Sequence, residues 1–377
     1  MIRNLLIITL SITLISCFNG HKTSNLRQDA DTVEIRYAKG FAIINHADYR
    51  QIDIYSPWTV NRGEIQQRYY LVARHSNTAT PPDGIRVETP VKAWATSSCT
   101  HVGYLDALNE LNNIKGVTNP SIIYNPTIRQ GTKRKEITDI GDALNINTEI
   151  LLRLQPDVLI LNLIGANDKQ AQHITSTGTT ILYNNEWKEG TPLARTEWIK
   201  LIAAFCCKDS LADSVFNSVE QRYNAIRAEA RNFAEHPEIM SGGNFRGTWY
   251  VPGGETYMGH LFRDAAAQYV FNDDKSTESI PLNMEQALLT FSHAGVWVGA
   301  PANSIQELIG QEARYNMIDA VHNGRVYNFY RRCKQGGAND FWETGVVRPD
   351  LILKDLVKIL HTEYMPDDSL NFARRLL

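Results

Sequence analysis

The stretch YRRCKQGGANDFWETG, Tyr330 to Gly345, crowds cations, a glycine pair, acids and three aromatic rings into one short segment. Guanidinium forks match planar anions, and flat rings cover organic surface, so this composition suits a cleft wall. On that reading Arg331, Arg332 and Lys334 face an anion and Phe341–Trp342 form apolar wall. Gly336–Gly337 would make poor core, which also places the stretch at a cleft. Ser97, Ser98 and His101 are near enough in sequence to seed a nucleophile site, but no acid partner or oxyanion arrangement accompanies them. A strand-to-helix loop, where Ser and Thr cap helices, accounts for them better. There is no G-x-S-x-G elbow and no P-loop, and GGETYMG has the wrong glycine spacing for a dinucleotide. The 10 histidines form no H-E-x-x-H or close metal pair. Cys99, Cys206, Cys207 and Cys333 form no C-x-x-C. The chemistry expected is therefore binding, with no catalytic residue, no metal site and no resident cofactor. A net charge of −3 over 377 residues argues against a general nucleic-acid binder.

The elements that must position these residues begin with MIRNLLIITLSITLISC, in which Arg3 precedes an apolar run that stops at Cys17. That is a signal segment too short to span as a mature helix, and Leu14–Cys17 resembles a bacterial lipobox. Residues 1–16 are expected to be a signal peptide, Cys17 a lipidated anchor and 17–31 a polar tether. Residues 32–85 alternate apolar and polar positions between turns and predict a few antiparallel strands. From about residue 86 the texture becomes strand, loop, helix, with VKAWAT, DVLILNLI and TTILYN as buried strands. This predicts an α/β lobe over 86–195. Leu211, Val215, Val219, Tyr223, Ile226, Ala230 and Phe233 form one apolar stripe, so 196–233 is expected to hold a long helix lying across two lobes. The second α/β lobe, 234–377, closes with an amphipathic helix in RPDLILKDLVKILH.

Two features recur in order on either side of that helix. THVGYL (Thr100–Leu105) matches TYMGHL (Thr256–Leu261), and NTEILL (Asn147–Leu152) matches NMEQAL (Asn283–Leu288). The second pair puts Asn at an N-cap and Glu in the first turn. The fold class expected is α/β: two Rossmann-like lobes joined by a single long helix, with an N-terminal antiparallel β extension. Between such lobes a ligand lies at the carboxyl ends of the strands. This nominates Trp94, Ser98 and Trp187 on the first side. On the second it nominates Arg246, Tyr250, Tyr257, Arg331, Arg332 and Trp342.

The lipoprotein signal, VKAWATSSCTHVGYLDALNELNNIKGV, DIGDALNINTEILLRLQPDVLIL and AVHNGRVYNF together resemble substrate-binding proteins of ABC importers for iron complexes, heme and cobalamin. The resemblance covers roughly residues 86–361; the β extension departs from a minimal member. It implies a lipid-anchored, periplasm-facing monomer in the bacterial envelope that passes a metal chelate to a permease dimer. It implies that Glu149 and Glu285 dock on permease arginines. A ferric siderophore is the first ligand expected, offset by Arg246, Arg331, Arg332 and Lys334. A corrinoid, needing wide aromatic walls and few charges, is the alternative. Heme, with Tyr257 or His101 as axial ligand, comes third, and an enzyme acting on such complexes is the more distant rival.

Overall fold

A computed structural model describes residues 31–58, 63–165, 168–362 and 369–377. The signal segment, Cys17 and the tether before residue 31 lie outside the described residues.

The first sheet is built from Asp31–Thr32, Phe41–Asn45, Arg50–Tyr55, Ile65–Ala73 and Ile85–Thr89, in that order. Its first pairings are antiparallel, but Ile85–Thr89 runs parallel to Ile65–Ala73 and so belongs to this sheet. The sheet leans on the first lobe: the Tyr69 hydroxyl donates to the Ile181 carbonyl at 2.6 Å, and its ring meets Phe205 edge-on.

The first lobe is a parallel sheet in the order Ile181–Tyr183, Val158–Leu161, Trp94–Thr96, Ile114–Val117, Thr138–Asp139. Both faces are covered, as parallel strands with crossover helices require. Trp94, Ile160 and Leu182 pack on one face with Trp198, Phe205 and Phe216, while Ala95, Leu159, Leu161 and Ile181 pack on the other. The second lobe has a parallel core of Ile239–Ser241, Val296–Val298 and Val326–Asn328, with Arg374–Arg375 added antiparallel. GTWYV does not join this parallel core. Thr248–Pro252 is the middle strand of a separate antiparallel sheet with Gly243–Phe245 and Ser279–Leu282.

The helix Asp209–Ala230 gives Phe216 to the first core and Tyr223 to the second. It is not the sole tie between the lobes. After Val326–Asn328 the chain crosses back, and Val346 and Val347 sit in the first-lobe core. The buried Glu343 carboxylate accepts the backbone amides of Tyr124 and Asn125 at 2.8 and 2.9 Å, and Thr196 donates to the Val346 carbonyl at 2.9 Å. Among the described residues, no helix is long and apolar enough to cross a membrane.

The recurrent TxxGxL motif has a packing reason. A Cβ on Gly103 would lie 2.0 Å from the Glu343 carbonyl oxygen, and one on Gly259 would lie 2.5 Å from that of Gly253. Each glycine lets a helix touch another segment's backbone. The helix starts differ, however. Thr256 is the N-cap of Tyr257–Asp264, whereas Ser98 caps Cys99–Ala107 and Thr100 lies inside that helix.

Candidate ligand site at the second-lobe strand ends

At the carboxyl ends of the second-lobe strands the chain opens a cavity of about 270 Å³. Ser241–Gly242, Gly299–Ala300 and Phe329–Tyr330 leave the strand ends to form its floor. Tyr250, Phe341 and Trp342 form its walls, and among the described residues no ionisable side chain other than tyrosine lines it. Phe329 stacks on Phe341 with centroids 4.4 Å apart, and Trp342 meets Phe341 edge-on at 4.7 Å. Trp342 is 55% exposed and Tyr250 44%, large apolar area left open to a ligand.

The first-lobe strand ends are polar and closed. Thr96, Asn162 and Asn184 leave adjacent strands, and Asn162 Oδ1 accepts the His101 Nε2–H at 2.6 Å. Burial holds His101 down at about 4. Burial pushes the Glu186 carboxyl up to about 7, against the opposing pull of the Arg195 guanidinium. Among the described residues, the Asn184 side-chain amide and one oxygen of Glu186 find no protein partner. Glu343, at the interlobe tie, is likewise pushed up to about 7 by burial.

The nominated residues divide. Tyr250 and Trp342 line the cavity together. Ser98 is a helix cap, its hydroxyl accepting the Thr100 amide at 3.2 Å. Trp94 is fully buried in the first core and lines no cleft, because a central parallel strand is covered on both faces. Tyr257 is buried under the Arg195 guanidinium, 4.5 Å from its ring centroid, where the lobes meet. His101 is fully buried and tied to Asn162, so it offers no axial nitrogen to the cleft. Arg246 does not line the cavity: it sits at the exposed tip of the hairpin between Gly243–Phe245 and Thr248–Pro252, stacked on Phe245.

Arg332 pairs with buried Asp340 at 2.8 Å, and Lys334 donates to the Tyr124 carbonyl at 2.7 Å, so both serve the loop. Arg331 is exposed and, among the described residues, has no ion pair. Trp187 is half-buried beside Trp58, with Lys188 Nζ 4.5 Å above its ring. Sequence reasoning passed over Met258 and Asn339, which line the cavity, and Trp58, Tyr37 and Tyr55, which line a second one. The alternation of the N-terminal strands was a signal for structure alone.

Glu149 and Glu285 stand 84% and 77% exposed, each at the second position of its helix. Asn147 and Asn283 cap those helices through the Ile150 and Gln286 amides. Each glutamate has one local cation, Arg153 at 3.3 Å and Arg314 at 3.4 Å. Exposed pairs of this kind are worth little and exchange readily.

Comparison with known proteins gives a consistent placement. An uncharacterized lipoprotein of Methanocaldococcus jannaschii is 25% identical over 287 residues, 74% of this chain and 67% of its own. A second lipoprotein of that organism is 21% identical over 91% of this chain and 86% of its own. Among solved structures, a periplasmic heme-binding protein from Pseudomonas aeruginosa superposes with a TM-score of 0.58 at 15% identity, over 76% of this chain and 98% of its own. The periplasmic vitamin B12-binding protein of Vibrio cholerae gives 0.52 at 13%, over 73% and 99%. The family model described as periplasmic binding protein matches residues 98–330, more than half of the sequence. The chain therefore belongs to the periplasmic binding protein family, a family of non-catalytic solute binders.

Proposed function

We propose that the chain is the substrate-binding receptor of an ABC importer, held in the cell envelope by lipid on Cys17, and that its cargo is a corrinoid of the cobalamin type. The observation that carries the ligand is the second-lobe cavity, with Tyr250, Phe329, Phe341 and Trp342 around it and, among the described residues, no acidic or basic side chain in its lining. A corrin ring presents a broad, weakly charged face, which aromatic walls cover without an ionic partner. Solved relatives described as binding iron, heme or vitamin B12 support a metal complex as the class of cargo.

A ferric siderophore is the second reading. It is favoured by Arg331, exposed, without an ion pair and next to Tyr330 of the cavity floor. Arg332 is engaged by Asp340 and Lys334 by the Tyr124 carbonyl, which leaves that reading short of charge. In both readings Glu149 and Glu285 meet arginines of a two-fold permease, and the protein works as a monomer. The helix Asp209–Ala230 acts as a strut, which with the Glu343 tie keeps lobe closure small. The domain organisation that goes with this is a 1–16 signal, a 17–31 tether, a 32–85 β extension, lobes at 86–195 and 234–377, and the linker helix between.

Tryptophan fluorescence of the full chain, purified in detergent, tests the ligand. Cyanocobalamin is expected to quench it to saturation at micromolar concentration or below. A response to a ferric catecholate chelate alone overturns the corrinoid in favour of the siderophore. Silence toward both rejects the two readings together.

A further inference from the structure

Beside the aromatic cavity lies a larger one, about 830 Å³, that the family fold alone does not build. Tyr37, Tyr55 and Trp58 form one wall, and all three precede the family match, which begins at residue 98. The loop around Lys188–Thr191 closes it from the first lobe, and Glu255 and Thr277–Glu278 close it from the second. The two cavities adjoin along the chain: Pro252 and Ser279 line the smaller, Glu255 and Glu278 the larger.

The added wall is fixed. The fully buried Glu197 carboxylate accepts the amides of Arg36, Tyr37 and Ala38 at 2.7–2.9 Å. One oxygen of Glu189 accepts those of Lys39 and Gly40 and the Trp198 indole N–H at 2.8–3.0 Å. Two carboxylates thus pin five consecutive residues against the first lobe, and Glu189, which also lines the cavity, keeps its negative charge there. Lys188 lies 4.4 Å from the Trp58 ring centroid and 4.5 Å from that of Trp187, and reaches Glu278 across the groove at 3.0 Å. Glu278 is 75% exposed and can swing away. Lys39 also lines the cavity and, among the described residues, has no ion pair.

We propose that this chamber holds a nucleotide-type appendage of the macrocycle, its aromatic base among Trp58, Tyr55 and Tyr37 and its phosphodiester at Lys188 and Lys39. The inference rests on the corrinoid reading and adds a specificity determinant to it. The smaller cavity takes the ring, and the β extension takes the part of the ligand that distinguishes a complete corrinoid from one lacking its nucleotide. Cations held over aromatic rings and beside a carboxylate that can leave suit a phosphate better than a neutral group.

Calorimetric titration of the full chain with cyanocobalamin and with dicyanocobinamide, which lacks the nucleotide, tests it. Cobalamin is expected to bind at least tenfold tighter. Trp58→Ala and Lys188→Gln are expected to lose most of that preference while cobinamide affinity stays within threefold, which also reports that the variants fold. Glu278→Gln, which frees Lys188, is expected to strengthen cobalamin binding several-fold. Equal affinity for both corrinoids, unaltered by these variants, overturns the chamber and leaves the receptor reading standing, provided Trp342→Ser weakens both. Failure of the unaltered chain to bind either corrinoid overturns the corrinoid reading and this inference with it.

Discussion

Replacing Glu186 with Gln keeps the side chain's shape and removes a charge that the fold dislikes. Glu186 is 1% exposed, and one of its oxygens lacks a protein partner. Burial raises its carboxyl from the ordinary 4.5 to about 7, the Arg195 guanidinium and the Thr100 hydroxyl pulling the other way. The native state therefore holds the proton more tightly than the unfolded chain does. The contribution of Glu186 to stability is greatest below pH 4.5 and falls as pH climbs through about 7. That rise converts to about 3 kcal/mol, an upper figure because water reaching the Asn184 layer would soften the burial. Glu186→Gln has no such dependence at this site. At pH 8 it should be more stable than the unaltered protein by about 2–3 kcal/mol, and near pH 4 the two should converge. Urea unfolding followed by tryptophan fluorescence at pH 4.5, 6 and 8 measures this. A constant difference between the two proteins at all three pH values would refute the reasoning, since only a titrating Glu186 makes it vary.

Gly103→Ala places a methyl against the Glu343 carbonyl, 2.0 Å from its oxygen, and should cost about 3 kcal/mol in urea by prying the crossing segment off the first lobe. Asp355→Ala removes a fully buried carboxylate that accepts the amides of Asn371, Phe372 and Ala373; about 3 kcal/mol should be lost, with the C-terminal strand exchanging amide hydrogens first. Glu149→Ala combined with Glu285→Ala should lower uptake of labelled cobalamin at least tenfold in cells relying on this receptor. Its affinity for cobalamin in solution should be unchanged, and unaltered uptake would end the docking role.

The parts of this molecule that were legible in sequence are those written in local pattern. Asn147-x-Glu149 and Asn283-x-Glu285 are short-range capping signals, and both begin helices with the glutamate outward. The apolar stripe from Leu211 to Phe233 likewise predicts a helix, which ends at Ala230 and packs on both cores. What escaped depended on contacts between distant segments. Trp94 carries the same letters whether it faces a cleft or a core, and only the helices covering both sheet faces settle it. Arg332 and Lys334 promised charge for a ligand, yet their partners are Asp340 and the carbonyl of Tyr124, more than 200 residues away for the latter. The return of residues 340–347 to the first lobe is equally invisible to periodicity. So is the use of an alternating β segment as a cavity wall, because alternation tells which side is buried but not against what.

A crystal structure of the full chain with cyanocobalamin locates the ligand. The corrin ring is expected against Tyr250 and Trp342, with the nucleotide directed toward Trp58 and Lys188. A ring bound elsewhere, or a cleft that stays empty of cobalamin while a ferric chelate occupies it beside Arg331, would contradict this placement.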